Sequence, residues 1–146
     1  MFTHILAPYD GSKNADRALE KAAQLAKLTD ASISLLTVFR HHSMLEASLS
    51  MVRVNDPGRI DDAMREHASG IVAHGKQLLI DAGVANVRGF VRSGRPAREI
   101  NQFAIKHGVD LIILGSRGLG ASGDGYLLGS VSHKVTGLSK CPVLVV

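Results

Sequence analysis

Val109-Asp110-Leu111-Ile112-Ile113-Leu114 runs directly into Gly115-Ser116-Arg117-Gly118, and this junction decides the fold. With Asp110 as its sole polar member, the run has no wet face. It reads as a strand covered on both sides, as strands of a parallel sheet are. Val143-Leu144-Val145-Val146 has the same character. Phe2 to Ala7, Ser32 to Phe39 and Val84 to Val91 are three more short segments rich in β-branched and aliphatic residues.

Helical periodicity fills the intervals. Behind Ser12, a suitable N-cap, Ala15, Ala18, Leu19, Ala22 and Ala26 recur at steps of three and four. Ile60, Met64, Ala68, Ile71, Val72, Leu78, Leu79 and Ala82 trace a longer stripe. Pro96 suits a first helical position, Ile100, Phe103 and Ala104 form an apolar face, and Gly108 is the stop. Val131, Val135 and Leu138 mark a short fourth helix. Strands alternating with helices predict an α/β fold with a mainly parallel sheet, in one domain over residues 1–146. Arg40 to Gly58 is long for a connection, so it is a functional loop or partly helical, with Met44, Leu45, Leu49 and Met51 as a short amphipathic turn.

Composition excludes several classes. A hydrophobic share of 45% against 21% charged is a globular balance, not a disordered one. No apolar run approaches the roughly 20 residues of a membrane helix. The opening Met1-Phe2-Thr3-His4-Ile5 lacks the layout of a signal peptide, so a soluble cytoplasmic protein is expected. Cys141 is the lone cysteine, which removes a disulfide framework and a cysteine-rich zinc site. Net charge is +4, but the basic residues are dispersed and Trp is absent, so the basic groove with stacking rings that nucleic acid requires is missing.

Ligands of open parallel sheets bind beyond the carboxyl ends of the strands, where the strand order reverses. Three loops qualify: Pro8-Tyr9-Asp10-Gly11-Ser12, Ser93-Gly94-Arg95-Pro96, and Gly115 to Gly125 running on to Gly129-Ser130. Glycine lets backbone amides approach an anion, and Gly129-Ser130 opens a helix whose amides favour negative charge. Ser116, Ser130 and Ser132 can add hydroxyl donors, so this loop reads as a phosphate site. Asp10 stands at a strand end, placed either to contact a ligand or magnesium or to form the turn before a helix.

Look-alike motifs fail on context. Gly118-Leu119-Gly120-Ala121-Ser122-Gly123 matches the dinucleotide fingerprint, but no acidic residue follows Asp124 to hold a ribose. Gly70 to Gln77 nearly spells a P-loop, yet Gln77 replaces its Ser or Thr and no strand precedes it. His41-His42 reads as a solvated loop rather than a metal pair, and no Gly-x-Ser-x-Gly elbow is present.

Gly115-Ser116-Arg117-Gly118, Gly129-Ser130-Val131-Ser132-His133-Lys134-Val135 and Cys141-Pro142-Val143-Leu144-Val145-Val146 resemble the C-terminal signature of the universal stress protein family. His4 to Ser12 and Gly94 to Ile100 fit the same family. The resemblance implies a five-stranded parallel sheet in order 3-2-1-4-5 with helices on both faces, similar to the adenine nucleotide alpha hydrolases. It implies ATP with Mg2+: Asp10 and the Val38 backbone at the adenine, and Gly115, Gly118, Gly129 and Ser130 at ribose and phosphates. Pro8, Ser116, Arg117, Val131 and Ser132 would line the same site, with Asp10 and Asp124 toward the metal. It also implies a homodimer through Val143, Leu144 and Val145. The family's ATP-binding members place nine residues between the second glycine and Gly-Ser; here Leu119 to Leu128 makes ten, which predicts weak, magnesium-dependent binding. No residue stands out as a general base or positioned nucleophile, so the expectation is a regulatory module with at most slow hydrolysis or autophosphorylation. The alternative is a nucleotide-free interaction protein of the same fold.

Overall fold

A computed structural model describes residues 1–41, 57–118 and 128–146. The strands are β1 (His4–Pro8), β2 (Ser32–Phe39), β3 (Val87–Ser93), β4 (Leu111–Leu114) and β5 (Val143–Val145). The helices are α1 (Lys13–Thr29), α2 (Pro57–Asp81), α3 (Pro96–Lys106) and α4 (Ser130–Leu138). All pairings are parallel, and the sheet order is β3-β2-β1-β4-β5.

Alternate residues of each central strand enter different cores. Ile5, Ala7, Ile33, Leu35, Leu111 and Ile113 pack with α1 and α2 residues such as Leu19, Ala22 and Leu79. Leu6, Leu36, Ile112 and Leu114 pack with Ile100 and Phe103 of α3 and Val135 of α4. Both faces are thus dry, and the continuous apolar runs follow from that. The chain leaves β1 in one direction through α1 and α2, then in the other through α3 and α4. The reversal sits between β1 and β4.

Three strands begin later than periodicity alone predicts: β1 at His4 rather than Phe2, and β3 and β4 after Val84 and Val109. Val84 and Val109 are apolar and buried, yet they belong to helix ends. Each follows a left-handed glycine, Gly83 (φ 93) or Gly108 (φ 64). Their amides donate back to Leu79 O at 3.1 Å and Ala104 O at 2.9 Å, closing Schellman caps whose apolar residue folds over the last turn. The third strand therefore starts at Val87 and ends at Ser93, not at Val91. Leu78 is 36% exposed, because Leu79 is the residue of that pair turned inward. The turn suggested for Met44 to Met51 lies outside the described residues.

Asp110 ties the N-terminus to the sheet. Its carboxylate accepts from Thr3 N at 2.8 Å, Thr3 Oγ1 at 3.0 Å and His4 N at 3.1 Å. Burial pushes its pKa up, but these bonds outweigh burial and hold the carboxyl below its usual range. The stabilisation is therefore complete above the ordinary carboxylate pKa of about 3.9 and fades as pH falls through the lowered folded value. Asp110→Ala is expected to cost about 1 kcal/mol at neutral pH, discounted because solvent reaches the cluster. Urea unfolding should show that deficit closing in strong acid; a pH-independent gap would assign it to packing instead.

Candidate functional site

The reversal sets the carboxyl ends of β1 and β4 side by side, and next to them a cleft opens at the ends of β1 and β2 beneath α2. The bonding pattern of β2 shows how. Ile33 N donates to Asn86 O and Phe39 O accepts from Gly94 N, so the odd-numbered β2 residues serve β3. Ser32 N donates to Thr3 O and Leu36 O accepts from Tyr9 N, so the even-numbered ones serve β1. β1 pairs only as far as Pro8 with Leu36. The peptide groups of Val38 therefore face the space that β1 has vacated, offering one donor and one acceptor to a planar edge.

That space widens into a cleft of about 620 Å³ lined by Asp10, Val38, Phe39, Ile60, Ala63 and Met64 among others. Its volume lies in the range of small-molecule sites, and its wall is mostly apolar. Ile60 and Met64 look like core positions in sequence. Here both are half-buried, because the first turns of α2 overhang the strand ends rather than pack on the sheet.

Asp10 serves both the turn and the crevice. Its Oδ1 accepts from Ser12 N at 2.9 Å, and Ser12 Oγ accepts from Ala15 N at 3.1 Å to cap α1. Its Oδ2 lies only 2.5 Å from where a Cβ on Gly118 would stand, so the β1 and β4 loops meet across the crevice. Tyr9 beside it is buried and donates to Asp16 Oδ1 at 2.5 Å. Burial first, then that bond and the nearby carboxylates, pushes the phenol above its ordinary pKa.

The glycine loop divides into two kinds of glycine. A Cβ on Gly115 would lie 3.0 Å from Asn14 C and O and 3.2 Å from Ala15 N. One on Gly129 would lie 3.2 Å from Arg117 Cα and Ser116 O. These two glycines let backbone pass backbone. Gly118 is exposed, and the nearest neighbour of a Cβ there is a side chain, the Asp10 carboxylate, rather than backbone. Ser132 is buried, its hydroxyl 2.7 Å from Ser116 O and 3.0 Å from Gly129 O, so its proton braces the loop against α4. Ser130 is exposed and Val131 half-buried. Gly129 caps α4 without a side-chain bond, so the first-turn amides of Ser130, Val131 and Ser132 have no helical acceptor.

Of the residues expected at the site, Asp10 and Val38 line the cleft and Gly118 lies against Asp10, while Gly115 and Gly129 pack against backbone and Pro8 ends β1. Asp124 lies outside the described residues. Val143, Leu144 and Val145 stand apart on the sheet edge, with Leu144 38% exposed and its two neighbours half-buried against the core. Among the described residues no helix is long and apolar enough to cross a membrane.

The universal stress protein family model matches residues 1–146. The chain belongs to the universal stress protein family. It is 37% identical over 150 residues to "Universal stress protein YxiE" of Bacillus subtilis, covering 100% of this chain and 99% of that protein. Hypothetical protein MJ0577, whose structure was the basis for assigning its biochemical function, superposes with TM-score 0.83 at 31% identity, covering 100% of this chain and 96% of that one. Two more distant structures share the fold. One is a universal stress protein in complex with cAMP (23% identity, TM-score 0.71, covering 99% and 96%). The other is from Archaeoglobus fulgidus in complex with dAMP (18%, 0.68, covering 99% and 97%).

The Val38 peptide offers one donor and one acceptor beside an apolar cleft, and the first-turn amides of α4 are compatible with an anion.

Proposed function

We propose that this universal stress protein binds an adenine nucleotide, ATP with Mg2+, at the β1–β4 crevice and acts as a cytoplasmic binding and regulatory module. The observation that carries this reading is the edge of β2 at Val38, past the last β1 pairing among the described residues, opening into an apolar cleft with Asp10 at its margin. The cAMP and dAMP complexes of fold relatives support an adenine ligand. Asp10 would meet the base or ribose and lies where a magnesium ion could be held. Ser116, Arg117, Gly118 and the first turn of α4 would face the phosphates. Mg2+ would supply charge neutralisation between the phosphates, and the chain's own part is to position and cover the nucleotide. At most slow hydrolysis or autophosphorylation is proposed. The same reading pairs β5 with its copy in a second chain, since an edge strand bearing an exposed Leu144 offers unpaired backbone for this.

Calorimetric titration with ATP and Mg2+ tests the site. The parent is expected to bind with micromolar or weaker affinity, because ten residues rather than nine separate Gly118 from Gly129. Ala63 is exposed on the cleft wall, so Ala63→Trp fills the cleft without touching the core. It should weaken binding at least about tenfold, the equivalent of 1.4 kcal/mol, while leaving the urea midpoint in place. Equal affinities in parent and variant would reject the cleft as the base pocket.

A further inference from the structure

We propose that Ser93 is a nucleophile activated by His41, acylated by carboxylic esters that carry a small apolar acyl group. Ser93 Oγ and His41 Nε2 are 2.9 Å apart. His41 Nδ1 lies 4.0 Å from Asp61 Oδ2. A carboxylate on the Nδ1 side favours the tautomer protonated there, leaving Nε2 to accept the Ser93 hydroxyl proton. Ser93 and His41 are thus within the hydrogen-bond reach a nucleophile and its base need, with Asp61 a nearby carboxylate beyond hydrogen-bond distance that acts through its charge.

Topology brings the three together from distant parts of the sequence. β2 and β3 stay in register to the pair Phe39–Ser93, so His41 leaves β2 beside Ser93. The start of α2 carries Asp61 over the same strand ends. Phe39 meets the His41 ring edge-on with centroids 6.5 Å apart, which limits how far the imidazole swings. Gly94, at φ 145, turns the chain toward α3 directly after Ser93, the last residue of β3. Phe39 and Ile60 line the adjoining apolar cleft, which would seat the acyl group when no nucleotide base occupies it.

The step balances without an outside reagent. Ser93 Oγ bonds to the acyl carbon as its proton passes to His41 Nε2. The bond from that carbon to the leaving oxygen then breaks, and the leaving group takes the proton from His41. The products are O-acyl-Ser93 and one alcohol or phenol.

The test is p-nitrophenyl acetate with the full chain, following p-nitrophenol release and locating the acetyl group by peptide mass spectrometry. The expected result is one acetyl group on Ser93, absent from Ser93→Ala. His41→Gln should slow release about a hundredfold, the lower range for a general base. Asp61 acts as a positioning residue, so Asp61→Ala should slow release and Asp61→Glu should restore it, the added methylene closing the 4.0 Å gap. Release from Ser93→Ala or His41→Gln at the parent rate would overturn the proposal, as would an acetyl group found only on lysines or no rescue by Asp61→Glu.

Discussion

Gly115→Val should destabilise the protein by about 3 kcal/mol whether or not a ligand is present. The reading of the loop as a phosphate cradle alone suggests otherwise: a side chain there should block an anion and leave the fold intact. The geometry gives Gly115 a different task. Its Cβ would sit 3.0 Å from the carbonyl carbon and oxygen of Asn14, at the capped first turn of α1. Those are backbone atoms, and Ser12 and Asp10 hold that turn in place. Neither partner can move without opening the cap, and the γ methyls of valine add further overlap. Urea unfolding of the unliganded variant checks this; an unchanged midpoint would return Gly115 to a purely ligand-facing role. Gly129 meets the same constraint against Arg117 and Ser116, so loss of binding in either variant would not locate a phosphate.

Gly75→Val should cost a similar amount, about 3 kcal/mol, by overpacking a closed core. Gly75 lies where α2 crosses Tyr9: a Cβ would be 2.8 Å from Cδ2 and Cε2 of that ring and 2.9 Å from Leu35 Cδ2. Leu35 is fully buried, and the Tyr9 ring is fixed by burial and by its bond to Asp16. The expected signature is a lowered thermal midpoint with weakened near-UV signal from Tyr9. A midpoint matching the parent would mean that the helix can lift off the ring at little cost. This glycine is also why the stretch from Gly70 to Gln77 imitates a phosphate loop: it is a helix crossing, with the neighbouring Lys76 exposed.

The fold was legible because both sheet faces are covered. Runs such as Leu111 to Leu114 admit no amphipathic alternative, and the order 3-2-1-4-5 expected from the family resemblance is the order found. The misplaced starts of β3 and β4 share one cause. Val84 and Val109 are apolar because they close helix caps, and a hydrophobic pattern cannot distinguish a cap residue from a strand residue. At the site, the loops after β1 and β4 could be located from glycine and Asp10. The cleft wall could not, since Ile60 and Met64 carry the same spacing as core residues. Ser93, His41 and Asp61 escaped for a further reason. Ser93 and His41 are 52 positions apart, and only the β2–β3 register joins them. No local motif encodes such a meeting, and His41 alone reads as a solvated loop residue.

The central claim is that an adenine nucleotide occupies the crevice between β1 and β4. Amide resonances of the isotopically labelled chain, followed while ATP and Mg2+ are added, test it most directly. Shifts that saturate together at Val38, Gly118, Ser130 and Val131, with the amides of α3 unmoved, are the predicted result. Saturating shifts confined to another surface, or none at millimolar nucleotide, would contradict it and favour a nucleotide-free interaction protein.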